Sequence, residues 1–168
     1  MTVLADYTDE EQELLRHAVA AAGVAVSAAS LGRKEETVSE GFAAADLVLK
    51  SQLRYVDNTL VTSLIVGVQE DLRTGRAFPD YVEQASAPGA HDEALIVLRR
   101  VSALLDQKSE PVEAAGYRGW LLDIARAVAE AGKEDQGSLG HGGVMVNDAE
   151  RSALSAIAAA LGLEPDAG

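Results

Sequence analysis

The segment WLLDIARAVAEAGKEDQGSLGHGGVMVNDAERSALSAIAAALGL, which runs from Trp120 to Leu163, decides the fold class. Its first and last parts place apolar side chains at helical spacing, and the part between them is rich in glycine. Asn147 and Glu150 have the spacing of a capping box at a helix start, and Gly162 suits a left-handed helix end. The segment therefore predicts two helices joined by a glycine-rich loop.

Helix-start signals of the same kind recur along the chain. They are the capping-box pairs Thr8 with Glu11 and Thr37 with Glu40, a cap at Asp57 or Asn58, and Ser109 followed by Pro111. No pair of strand-like segments accompanies them, so the sequence predicts one all-α domain over residues 1–168, a compact helical bundle of five to seven helices. Residues 74–90 are expected to be a linker, mobile or with one helical turn after Pro79, and residues 164–168 a frayed tail.

Apolar periodicity also predicts which side of each helix is buried. In the helix that follows Thr37, the residues that share one apolar side are Phe42, Ala45, Leu49 and Leu53. In a later helix, over residues 91–107, they are Leu95, Leu98, Val101 and Leu105. We expect both sets to face the core.

Composition and charge exclude several classes of partner. The chain has 168 residues, 48% of them hydrophobic, with 14 Lys and Arg against 27 Asp and Glu, which leaves a formal charge of -13. Such a charge repels the phosphates of nucleic acids and anionic membrane surfaces. No apolar run approaches the ~20 residues of a membrane-spanning helix. Neither nucleic acid nor a membrane is therefore expected as a partner.

Cysteine usage and the N-terminal residues bear on compartment and chemistry. With no cysteine, the chain has no disulfide, thiolate metal site or cysteine nucleophile. The N-terminal residues MTVLADYTDEEQELL lack the basic flank and the apolar core of a signal peptide. The expected location is the cytoplasm.

No catalytic motif is recognisable, and the sequence assigns no catalytic residue. The histidines, His17, His91 and His141, are scattered, and no HExxH or GxSxG motif occurs. This pattern favours a protein that is not an enzyme.

The glycine-rich loop of residues 137–146 is the predicted functional surface. Gly140, His141, Gly142 and Gly143 form the candidate ligand or partner loop, because many glycines in a helical protein cost conformational entropy and need a reason. One alternative is structural: Leu139 and Val144 pack inward and need permissive neighbours. The sequence leaves both open.

Acidic residues bracket this loop and make a cation the second hypothesis. The candidate ligands for Ca²⁺ or Mg²⁺ are Glu134, Asp135, Asp148 and Glu150, whose oxygens are those that hard cations prefer. In the competing interpretation Glu134 and Asp135 are solvated and Glu150 completes the capping box of Asn147.

The layout of residues 123–163 resembles a known family. The matching residues are Val146-Asn147-Asp148-Ala149-Glu150 at the helix start and Ile157-Ala158-Ala159-Ala160-Leu161-Gly162-Leu163 at its end. They are similar to the cap and helix end of the tellurite-resistance TerB-like family, although the longer GSLGHGGVM stands where that family carries A-D-G. The resemblance implies an all-helical fold and a stress-associated binding role without catalysis.

These observations lead to two functional hypotheses. The first is a cytoplasmic binding or adaptor protein that acts on a protein partner or on itself, as a homo-oligomer, through a helical face and the loop of residues 137–146. The alternative is a small-ligand enzyme or divalent-cation-binding protein that uses His141 and the neighbouring carboxylates.

Overall fold

The computed structural model describes residues 1–30, 34–74, 80–134 and 148–164. After a short 3-10 helix, Leu4–Asp6, these residues form seven α-helices and no strand. The helices are α1 (Asp9–Ser30), α2 (Lys34–Lys50), α3 (Thr59–Arg73), α4 (Tyr81–Ser86), α5 (Ala90–Lys108), α6 (Pro111–Glu134) and α7 (Asp148–Ala160). The prediction of a compact all-α bundle is confirmed.

Helix α1 lies at the centre of the bundle. It packs against α5 and α6 most extensively and also contacts α2, α4 and α7. Most residues from Leu15 to Ser27 are buried, and many of them are alanine, with Gly23 among them. Small side chains on several sides of a helix let neighbouring helices approach closely on each of those sides, which is what a central helix needs.

The largest buried side chains join α6 to α1. Tyr117 and Trp120 meet edge to face, with ring centroids 5.8 Å apart and an interplanar angle of 63°. Both are fully buried, and the Tyr117 hydroxyl donates a hydrogen bond of 2.6 Å to the carbonyl oxygen of Leu15. The aromatic pair therefore supplies both apolar burial and a polar link between the two helices.

Two of the predicted helix boundaries are confirmed by their hydrogen bonds. At the start of α1, the Thr8 backbone N–H donates to Glu11 Oε2 at 2.8 Å and the Glu11 N–H donates to Thr8 Oγ1 at 3.3 Å. At the end of α7, Gly162 has a φ of 70°, and the Leu163 N–H donates to the Ala158 carbonyl at 2.9 Å. These are the capping box and the glycine helix end that the sequence predicts.

Two other predicted caps are wrong. Helix α2 begins at Lys34, before Thr37, so Thr37 and Glu40 lie inside the helix and both are buried. Ser109 follows α5 as its C-cap, while α6 begins at Pro111 as expected. Local spacing identifies side chains able to cap, but several positions satisfy the pattern and packing selects among them.

The predicted inner face of α5 is confirmed and that of α2 is wrong. Leu95, Leu98, Val101 and Leu105 are all buried in α5. In α2 the buried residues are instead Thr37, Glu40, Ala44 and Val48, on the side that packs against α6. Phe42, Leu49 and Leu53 are exposed and Ala45 is half-buried.

Part of the expected linker is helical. Residues 75–79 lie outside the described residues, but Tyr81–Ser86 forms α4, whose Tyr81 and Ala85 are buried. A helical turn after Pro79 is therefore what the structure shows for this part of the chain. Among the described residues, no helix combines the length and the apolar character that crossing a membrane requires.

Asn58 caps α3 and joins it to α6. Its Oδ1 accepts the Val61 backbone N–H at 2.9 Å, and its Nδ2 donates to the Glu113 carbonyl at 3.1 Å. Of the two cap candidates in the sequence, the structure selects Asn58, which is buried, whereas Asp57 is exposed.

We expect Asn58→Ala to lower the free energy of unfolding by about 2 kcal/mol, because it removes a helix cap and leaves a buried carbonyl without its donor. The matched control is Asp57→Ala, which should change stability by less than about 0.5 kcal/mol. Equilibrium urea unfolding followed by circular dichroism measures both. Equal losses in the two variants would contradict the assignment of the cap.

Candidate functional site

The residues of the predicted ligand loop, Gly140, His141, Gly142 and Gly143, lie outside the described residues, and so does Asp135. The hypothesis that this loop binds a ligand or partner therefore stays a prediction. Glu134 is the last residue of α6. What the structure describes are the two helices that flank the loop.

Two of the candidate cation ligands on α7 point to different surroundings. Asp148 is exposed and accepts a 3.0 Å ion pair from Arg151 Nη1. Glu150 is buried, with 3% of its surface accessible. Residues two positions apart on a helix project about 200° from one another, so these two carboxylates do not converge on one cation.

Glu150 instead meets a second buried carboxylate, from α2. Glu40 is also only 3% exposed. A Cβ placed on Gly132 of α6 would lie 3.0 Å from Glu40 Oε1 and 3.4 Å from Glu150 Oε1. Gly132 thus leaves the space in which the two carboxylates, from α2 and α7, approach the backbone of α6. Both carboxylates also interact with further residues of the chain.

This carboxylate pair is too small a donor set to identify a cation site. Calcium takes six to eight oxygen ligands and magnesium six. Over the four described ranges, no group of three or more His, Asp or Glu residues is placed to hold a metal ion. The four-residue cation hypothesis of the sequence remains a prediction, because it includes Glu134 and Asp135.

Tyr81 of α4 lies next to this region and is held between α1 and α2. Its hydroxyl is 2.9 Å from Ser27 Oγ, and its ring lies over Gly41. A Cβ on Gly23 would lie 2.7 Å from the hydroxyl oxygen, and a Cβ on Gly41 would lie 3.0 Å from Cδ1 of the ring. Two glycines on neighbouring helices therefore form the seat of one tyrosine.

We expect Gly23→Ala to destabilise the protein by about 1 to 3 kcal/mol, because the added methyl group meets the Tyr81 hydroxyl. In a Tyr81→Phe background that clash is absent, so the same substitution should cost about 1 kcal/mol less. A double-mutant cycle of urea unfolding measures the difference. Strict additivity of the two substitutions would contradict the proposed seat.

All four tyrosines have a pKa above the ordinary value of 10. Burial is the largest cause in each case, since it penalises the charged phenolate. For Tyr55 the hydrogen bond that its hydroxyl donates to Asp123 Oδ2, at 2.6 Å, raises the pKa further. For Tyr81 the nearby charge of Glu40 also raises the pKa, while the Ser27 hydrogen bond lowers it.

These shifts predict how stability depends on alkaline pH. A raised pKa in the fold means that the stabilisation is complete below the unfolded value of about 10 and is lost as pH rises above it. We expect the melting temperature to fall from about pH 10 upward, with tyrosinate absorbance appearing together with unfolding. Tyr81→Phe should reduce the slope of that fall. A non-cooperative ionisation of all four tyrosines near pH 10 in the folded protein would contradict the assignment.

The most exposed apolar surface of the described chain lies on α2. We call it the α2 stripe, and its residues are Val38, Phe42, Ala45, Leu49, Leu53 and Val56. Phe42 is 73% exposed and Leu53 is 88% exposed. Hydrogen bonds from Ser51 to the Leu47 carbonyl and from Tyr55 to the Ser51 carbonyl continue the helical turns beyond Lys50. The stripe therefore extends along the helix and the turns that follow it.

The edges of the α2 stripe carry little charge. On one edge, Lys50 Nζ and Asp46 Oδ2 form an ion pair of 2.6 Å. Beyond Lys50, Arg54 and Arg126 both pair with Asp123, at 3.0 and 3.2 Å. Basic and acidic side chains are thus balanced around the stripe, in a chain whose acids outnumber its bases by 27 to 14.

A groove of about 240 Å³ lies on another side of the molecule, between α1, α4 and α5. Its floor is mostly alanine, and its polar side chains are His17, Gln84 and Glu93. It is smaller than the ~300 to 1,000 Å³ of most small-molecule sites. The groove is therefore a weaker candidate than the α2 stripe.

The chain matches no protein-family model, no curated protein and no solved structure. The argument for function therefore depends on the residues themselves. The sequence analysis missed the α2 stripe because it assigned those residues to the core, and it missed the carboxylate pair because it assigned Glu40 and Glu150 to caps. A signal was present in the first case: α2 carries a second, smaller apolar side at Ala44 and Val48.

Proposed function

We propose that the protein is a non-enzymatic binding protein that engages another protein through the α2 stripe. The observation that carries this proposal is the outward position of Phe42 and Leu53 on a helix whose opposite side is fully packed. Leaving a side chain of this kind in water forgoes about 1.5 to 3 kcal/mol of burial. A contiguous set of such side chains on one helix is typical of a protein interaction surface.

The area of the stripe supports this interpretation. Five of its residues, Val38, Phe42, Leu49, Leu53 and Val56, are exposed by between 39% and 88%. At about 150 to 200 Å² for a large apolar side chain, they present roughly 500 Å² of apolar surface. This is near the upper end for the largest apolar patch of a monomeric protein. The other exposed apolar residues of the described chain, such as Val66, Ile96 and Val112, lie on other helices.

The stripe is also preformed, which favours binding. A helix that is already packed against α6 loses little conformational freedom when a partner covers its outer side. Apolar residues three and four positions apart on one helix side are the pattern of helix-mediated recognition. The proposal is therefore a helical-face binding protein, the first hypothesis from the sequence, with the face now assigned to α2.

Three further parts of that hypothesis are included as proposals. They are the cytoplasmic location, the contribution of the loop of residues 137–146, and the stress-associated role that the TerB-like resemblance implies. None of them is needed for the argument from the α2 stripe.

The test compares Phe42→Asp/Leu53→Asp with Val112→Asp, a control at a residue that is 77% exposed on α6. Tagged proteins are expressed in the native cell together with an untagged copy of the chain, and bound proteins are quantified by mass spectrometry. We expect the α2 double variant to lose at least tenfold of a partner that the control retains, with melting temperatures close to that of the wild type. Equal recovery of every bound protein by both variants would overturn the proposal.

A further inference from the structure

We propose that the partner of the α2 stripe is the α2 stripe of a second copy of this chain, packed antiparallel about a twofold axis. This inference rests on the proposed function, since it names the occupant of the same surface. Three properties of the stripe support it: its symmetry, its balanced charge and its area.

The stripe reads nearly the same in both directions. A twofold contact requires one surface that is complementary to itself. Centring the axis near residue 47 places Val38 beside Val56 of the second copy, Phe42 beside its Leu53, and Ala45 beside its Leu49. Each pair sets apolar against apolar. The small Ala45 side chain opposite a leucine lets the two helices approach closely at the centre.

The spacing of the stripe also suits helix pairing. Its residues follow one another at intervals of four, three, four, four and three positions. Alternation of three and four positions is the pattern of a coiled-coil seam, in which side chains of one helix fit between those of the other. A helix that packs against an irregular groove does not require this regularity.

Charge favours a second copy at this surface and opposes it elsewhere. Two chains of net charge -13 repel one another on average. The only charged pair along the seam from Val38 to Val56 that directly borders it is Asp46 with Lys50, which is neutral as a pair. In the antiparallel arrangement the two Asp46 edges meet, and each Lys50 comes within reach of Asp46 of the second copy. The remaining edge carries the uncharged Gly41, Gln52 and Tyr55.

The area indicates how strong the contact is. Two stripes of roughly 500 Å² would together bury on the order of 1,000 Å², the lower end of specific interfaces. The expected species is therefore a dimer that dissociates on dilution. The contact would enlarge where Tyr55 and the methylene groups of Arg54 and Lys50 cover the rim.

Sedimentation velocity of the full chain over a hundredfold range of concentration tests the assembly. We expect the wild type and Val112→Asp to convert from monomer to dimer, and Phe42→Asp/Leu53→Asp to stay monomeric with an unchanged melting temperature. A dimer that persists in the α2 double variant would overturn the proposed contact.

Disulfide trapping tests the antiparallel arrangement independently, and the absence of cysteine from the chain makes it clean. Val38 and Val56 are 18 positions apart, about 27 Å along a helix, so they cannot join within one chain. We expect Val38→Cys/Val56→Cys to form a covalent dimer on oxidation, whereas each single variant and Val112→Cys do not. A parallel pair would instead trap both single variants, and that result would overturn the arrangement.

The same data separate this inference from the proposed function. If the wild type is monomeric at every concentration but still loses a captured partner in Phe42→Asp/Leu53→Asp, the second copy is wrong and the binding surface is right. If the chain is monomeric and no captured protein depends on the stripe, both proposals are overturned.

Discussion

The close packing of neighbouring helices around α1 is the constraint on which the rest of the structure depends. Alanine residues and Gly23 occupy most of its buried positions, and they allow five helices to contact it. Such a helix has few large side chains of its own to bury. The large ones come from its neighbours, above all Tyr117 and Trp120 of α6 and the leucines of α5. Polar links then fix their orientation, as the bond from Tyr117 to the Leu15 carbonyl shows.

The same economy of space explains the unusual orientation of α2. Its inner side carries Ala44 and Val48, which fit a close contact with α6, together with two polar residues, Thr37 and Glu40. Burying a carboxylate is costly unless other groups compensate for the lost water. That cost is accepted on the inner side, while Phe42 and Leu53 remain in water on the outer side. A helix placed in this way is better explained by selection for its outer surface than by the stability of the monomer alone.

The sequence by itself determined the fold class and much of the helix pattern. Capping groups act through local backbone hydrogen bonds, so the start of α1 at Thr8 and the end of α7 at Gly162 could be predicted from residues a few positions apart. The inner side of α5 was predictable because that helix has one apolar side only. The resemblance of residues 146–163 to the TerB-like family, and the role of the loop of residues 137–146, stay predictions from the sequence.

Only the tertiary structure decided which side of α2 is buried and which acids come together. Helix α2 has two apolar sides, and helical periodicity scores both alike; the available distance to α6 selects the small one. Glu40 and Glu150 are more than a hundred positions apart in the chain, and each satisfies a local capping pattern. Their approach around Gly132 depends on how α2, α6 and α7 pack, which no local pattern encodes. Local hydrogen bonds thus determined the helices, and the space between helices determined the surfaces.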